Sequence, residues 1–164
     1  MATATYIPIA TQTLGSAAAS ITFSSIPSTY TDLRLVITPT ASSGVDLYFQ
    51  FNGDTATNYS LIVLQGSGTG TNSASQSSAA QIDLTFNSAG VSATIPHLYT
   101  MDVFSYAGST NKTALFVLSE DNNGSGYVVN AVALWRSTAA ITSIKVSAGS
   151  GTLSTGTIAT LWGI

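Results

Sequence analysis

Cysteine is absent from the 164 residues. That removes disulfide scaffolds, thiolate metal sites and cysteine nucleophiles together. Charge is almost as scarce: 7% of residues are Asp, Glu, Lys or Arg, against about 25% in an ordinary domain. The four cations, Arg34, Lys112, Arg136 and Lys145, are scattered and outnumbered by seven acids. Nucleic acids and anionic membrane surfaces both require clustered cations, so neither is expected as a partner. No apolar run approaches the roughly 18 residues of a membrane-spanning helix. The first twenty residues lack a basic segment, and Thr, Pro and Gln interrupt their apolar positions, so no secretory leader is expected. The Asn-X-Ser/Thr sequons at Asn58, Asn111 and Asn123 are then chance matches in a Ser/Thr-rich chain.

Chemistry-bearing residues are thin as well. His97 is the single histidine, with no Ser or Asp partner suggested by spacing, so it reads as structural rather than as a general base. One histidine without cysteine cannot supply the three or four ligands of a zinc site, and no metal or cofactor is expected. Asp54, Asp102, Glu120 and Asp121 are the carboxylates that would have to converge for glycosidase chemistry, but nothing in their spacing brings them together. Glu120 and Asp121 read instead as solvating a hairpin end, because Asn122-Asn123-Gly124 follows them as a turn. Their loop fails the calcium-binding EF-hand pattern. Gly66-Ser67-Gly68-Thr69-Gly70 lacks the Gly-Lys-Ser/Thr ending of a phosphate loop. The reading is therefore a protein without catalysis of its own. Its aromatics, which in a sugar-binding module would stack on ligand, fall mostly at strand positions where packing explains them.

What fills the space is Ser and Thr, 24 of each, beside an ordinary 45% of hydrophobic residues. That balance is unlike a disordered chain, which combines low hydrophobicity with high net charge. A chain this long buries about two thirds of its extended surface, enough for one domain with a full core. Helical periodicity is missing, and Glu occurs once. Strand signals recur near 5–13, 18–26, 32–38, 45–52, 58–65, 81–86, 97–107, 112–119, 127–136, 140–147 and 156–163, separated by Gly, Ser, Asn and Pro. Val45, Leu47, Phe49 and Phe51 alternate with polar residues. The strand from Tyr127 to Arg136 is apolar on both sides, as for a central strand or one covered by a neighbouring subunit. This spacing is that of an all-β sandwich or barrel; the fold expected is an antiparallel, jelly-roll-like β-sandwich of about 8–11 strands, although periodicity alone leaves strand order open. Residues 1–13 form an N-terminal arm or edge strand, and residues 14–164 form the single domain, with a long polar loop at 66–80. Edge guards such as Lys and Glu are nearly absent, which points to edges covered by the chain itself or by other subunits.

Four stretches carry a resemblance: Ser20 to Leu33 (SITFSSIPSTYTDL), Phe51 to Ser60 (FNGDTATNYS), Ser137 to Ile144 (STAAITSI) and the terminal Gly156 to Ile164 (GTIATLWGI). In this order they resemble structural proteins of tailed bacteriophages, including cyanophages. The Phe-Asn-Gly-Asp block and the Leu-Trp-Gly-Ile ending are the most specific parts. The resemblance implies a virion component made in the host cytoplasm. The expectation drawn from it is a capsid decoration (cement) protein on the outer capsid surface, homotrimeric and bound to the major capsid protein. Tyr6, Ile7, Ile9 and Trp162 are the expected partner contacts. The alternative is a tail-fibre or receptor-binding module whose exposed aromatics recognise a host surface glycan.

Overall fold

The computed structural model describes residues 5–42, 44–85 and 90–164. Among them the chain forms β1 (Ile7–Thr13), β2 (Ser20–Phe23), β3 (Leu33–Thr38), β4 (Leu47–Phe51), β5 (Tyr59–Gly66) and β6 (Thr71–Ala79). It continues with β7 (Ile82–Asp83), β8 (His97–Val103), β9 (Lys112–Asn122), β10 (Ser125–Trp135), β11 (Ile144–Ala148) and β12 (Ile158–Gly163). An eight-stranded sheet runs β1-β12-β3-β8-β9-β10-β5-β6, and a four-stranded sheet runs β2-β11-β4-β7. All pairings are antiparallel.

The strand order identifies the topology. Setting aside the hairpins β5–β6 and β9–β10 leaves β1-β12-β3-β8 facing β2-β11-β4-β7. Along the chain these eight strands switch sheet at every step except β4 to β7, which is the rolled double Greek key of a jelly roll. The two hairpins are additions that widen one sheet to twice the other. The fold is the expected jelly-roll-like antiparallel sandwich.

Period-two alternation packs the interior. Phe49 and Phe116 meet edge-on across the sandwich at 5.2 Å, joining the small sheet to the middle of the large one. Phe51, Tyr59 and Trp135 form a second knot, with Tyr59 stacked on Trp135 at 6.3 Å. The Tyr59 hydroxyl accepts from the Phe51 N–H at 3.0 Å, and the Trp135 indole N–H donates to Asp54 Oδ2 at 2.7 Å. Burial pushes the Tyr59 phenol up to about 12.

Both specific blocks of the resemblance are structural. Asn52 and Gly53 take φ of 53° and 66°, the left-handed conformation that Asn and Gly tolerate best. The Asn52 side chain accepts from the N–H of Thr142 and Ser143 and donates to the Ala140 carbonyl, tying this turn to the approach to β11. At the other end Leu161 is buried, and a side chain at Gly163 would collide with the Tyr30 ring.

One expectation is corrected. The stretch 66–80 is not a long loop. A turn closed by the Ser67 N–H to the Gly70 carbonyl leads into β6, which pairs with β5 from Gly66↔Thr71 to Tyr59↔Ala79. Both faces of β6 are largely exposed, so no hydrophobic alternation marks it, and its order comes from backbone pairing. The N-terminal segment is an edge strand from Ile7 onward, paired with β12. Residues 1–4 and Phe86, included in the expected strands and arm, lie outside the described residues.

Truncating the inter-sheet contact tests this core. Phe49→Ala is expected to cost about 3–5 kcal/mol, lowering Tm by about 10 °C in a calorimetric scan. A shift of only one or two degrees would show that the Phe49–Phe116 contact carries little of the sandwich.

Candidate functional site

Alternation buries one face of the large sheet and leaves its other face outward. On β5, β9 and β10 that outward face is aliphatic. The registers Leu64↔Asn130↔Val117 and Ile62↔Val132↔Leu115 place these side chains in two adjacent rows across three strands. Ile62 is 61% exposed, Leu64 58%, Val128 53%, Leu115 45%, Val117 42% and Val132 37%. A shallow depression of about 400 Å³ lies between the rows, bounded at one end by Asp102. The two-sided apolar character of β10 was legible in the sequence. The contribution of β5 and β9 was not, because only the register places them beside it.

The next columns of the same face are polar. Arg34 on β3 sits opposite Asp102 on β8 and grips it with two hydrogen bonds, Nε to Oδ1 at 2.6 Å and Nη2 to Oδ2 at 2.7 Å. This bidentate pair holds the guanidinium firmly protonated, and its two charges cancel. Beyond it lies the expected partner-contact group. Tyr6 stands edge-on to Trp162 with centroids 6.4 Å apart, and the Arg34 guanidinium lies 5.7 Å over the Tyr6 ring. Tyr6 and Ile7 are exposed, whereas Trp162 is half-buried and Ile9 packs against the core. Tyr6 and Trp162 therefore share one surface at the β1 edge, Ile7, in register with the buried Gly163, is exposed on the other side of the strand, and Ile9 serves the fold.

The extended β9–β10 hairpin carries the remaining polar cluster. Its turn places Asn123 and Gly124 at φ of 53° and 85°, the paired left-handed geometry of an Asn-Gly hairpin. Asp121 faces solvent and accepts from the Gly124 N–H at 2.8 Å. Glu120 does not solvate the hairpin end as its position suggested. Its side chain turns inward and is 5% exposed, with Oε2 3.0 Å from Nδ1 of His97, whose own side chain is fully covered. The approach is close but out of line for a hydrogen bond from Nδ1, while His97 Nε2 accepts from the Ser92 N–H at 2.9 Å. Burial lowers the His97 pKa and raises that of Glu120, so each resists its charge. Beside them, Ser67, Thr69, Ile95, Asn122 and Tyr127 line an open groove of about 360 Å³.

The carboxylates weighed for hydrolysis do not share a site. Asp54 is occupied by the side-chain N–H groups of Asn58 and Trp135 and the backbone N–H of Ala56, which hold its pKa low. Asp102 is on the outward face with Arg34, and Glu120 and Asp121 diverge to opposite faces of β9. Trp135 pairs with Lys112, at the far end of β9 from Glu120, which separates Asp54 from Glu120 by roughly 25 Å of strand. Lys112 is buried, its ammonium donating to the carbonyls of Gly108 and Thr110. Among the described residues no group of three or more His, Cys, Asp or Glu is placed to hold a metal ion.

No family model and no curated protein matches the chain. Among solved structures, the crystal structure of the Caenorhabditis elegans galectin LEC-6 is similar at 14% identity, covering 92% of this chain and 94% of that one, with a TM-score of 0.36.

The buried pair makes a signed prediction. A lowered His97 pKa means the unfolded chain takes up a proton that the folded one resists, so this contribution to stability falls as pH drops below 6.5. A raised Glu120 pKa acts oppositely, its contribution being present below 4.5 and lost as pH rises through its folded value. The two slopes are opposite in sign, so each masks the other in the wild type wherever their titration ranges overlap. Glu120→Gln is expected to unmask the histidine slope, giving a larger loss of stability between pH 7.5 and 5.5 than the wild type shows in urea titrations. Equal losses would refute the assignment.

Proposed function

We propose that this protein is a structural component of a tailed-phage particle, a capsid decoration protein that packs on the major capsid lattice and performs no chemistry. The observation that carries the reading is the outer face of the large sheet. Exposed aliphatic rows lie across three strands, and neither edge strand contains a Lys or Glu: β1 is interrupted by Pro8 and an irregular register, while β6 carries no such guard against association. Surfaces of Ser, Thr, Ala and Gly lose little side-chain freedom when immobilised, which suits permanent contacts. The four stretches resembling phage structural proteins supply the particle, and the jelly roll is a fold also used by viral capsid domains, an analogy of fold alone. In this reading Tyr6, Ile7 and Trp162 at the β1 edge meet the capsid.

The groove beside Tyr127 favours a second reading. A half-buried tyrosine flanked by Asn122, Ser67 and Thr69 offers a stacking face and hydroxyl-binding groups to a neutral sugar. A receptor-binding module on a tail fibre would use it.

Purified protein added to capsids lacking it, and separately to complete tails, distinguishes the two. Saturation at many copies per capsid, reduced at least tenfold by Tyr6→Ala with Ile7→Ser, is expected. Binding confined to tails, and lost with Tyr127→Ala, would overturn the capsid reading in favour of glycan recognition.

A further inference from the structure

We infer that the aliphatic face of β5, β9 and β10 is the interface of a two-fold homodimer, formed by a second copy of this chain stacked sheet against sheet. The inference rests on the assembly reading above and names the occupant of the face.

Size is the first argument. Ile62, Leu64, Leu115, Val117, Val128 and Val132 together expose on the order of 600 Å², at the upper limit of the largest patch on an ordinary monomer. With Asn130 and Thr100 of the same rows, and Leu98 and Ser119 in the row of Val128, the face approaches the roughly 800 Å² per partner of a stable interface.

Charge is the second. The ion pair flanking the rows is Arg34 with Asp102, already neutralised by two short hydrogen bonds. Asp121 stands at the rim near the hairpin turn, clear of the central rows. Two copies brought face to face therefore meet no uncompensated like charge at the centre, the usual guard against such stacking.

Symmetry is the third. An isologous contact matches a patch with itself, whereas a head-to-tail ring requires a different, complementary patch. Leu98 belongs to the same face, in one row with Ser119 and Val128, and the other large exposed apolar residues among those described, Tyr6, Ile7, Phe104 and Ile158, form no second face of comparable size. Self-matching across a two-fold axis follows, in place of the trimer expected from the sequence. Stacked sheets lie about 10 Å apart, a spacing these branched side chains fill when interleaved.

Sedimentation equilibrium of the full chain at micromolar concentration, without capsids, tests this. The expected mass is twice the chain mass of 16.8 kDa. Leu115→Glu and, separately, Ile62→Lys are expected to give monomers with unchanged circular dichroism, because both side chains already face outward. A wild-type monomer or trimer, or a dimer that survives both substitutions, would overturn the inference. Capsid copy number is measured separately, so a monomer that still decorates capsids would refute the dimer and leave the decoration reading standing.

Discussion

The constraint that governs this molecule is that its large sheet is apolar on two faces and covers only one of them. The inner face is closed by the small sheet through Phe49 on Phe116 and through the Phe51–Tyr59–Trp135 knot. The small sheet is half as wide, so the two added hairpins extend the large sheet beyond the eight-stranded jelly roll. The same hairpins bring the aliphatic outward rows. Hydrophobic burial is non-directional and scales with area, so what widens the core-facing sheet also creates an outward surface that water covers poorly.

Scarcity of charge sharpens the constraint. The few ionic groups are largely committed to internal tasks: Asp54 receives Trp135, Arg34 clasps Asp102, Lys112 seals the carbonyls of Gly108 and Thr110, and Glu120 is folded against His97. Little charge is left to solvate a flat sheet face, and solubility rests on Ser, Thr, Asn and Gln. Those side chains hydrogen-bond to water without resisting close approach by another neutral surface, in contrast to Lys and Glu. Structure and proposed role thus share one physical origin.

Much of the sandwich was legible because burial imposes alternation. Val45, Leu47, Phe49 and Phe51 are buried as their spacing implies, and the Asn-Gly pairs at 52–53 and 123–124 lie in turns. Strand β6 is not legible for the converse reason: apart from Ala74 and Ala79 its residues are polar on both faces, and backbone pairing leaves no trace in side-chain pattern. Glu120 was misplaced for a related reason. A turn signal predicts solvent at its tip, but the hairpin continues past the small sheet, and a residue three places before the turn faces the end of the core. Of the surface group, Tyr6, Ile7 and Trp162 are gathered at one edge, while Ile9 packs against the core. The aliphatic face needed the register of three strands, which no single segment contains.

The central claim is that the outward rows are covered in the functional state. Methyl relaxation by a soluble paramagnetic agent, read by NMR on the intact protein, tests it most directly. The account predicts that Leu115, Val117 and Val132 methyls are shielded nearly as well as the buried Leu161, while Ile158 on β12, separated from β9 by β3 and β8, is strongly relaxed. Equal relaxation of Ile158 and the three row residues would contradict it, because the face would then be open to water.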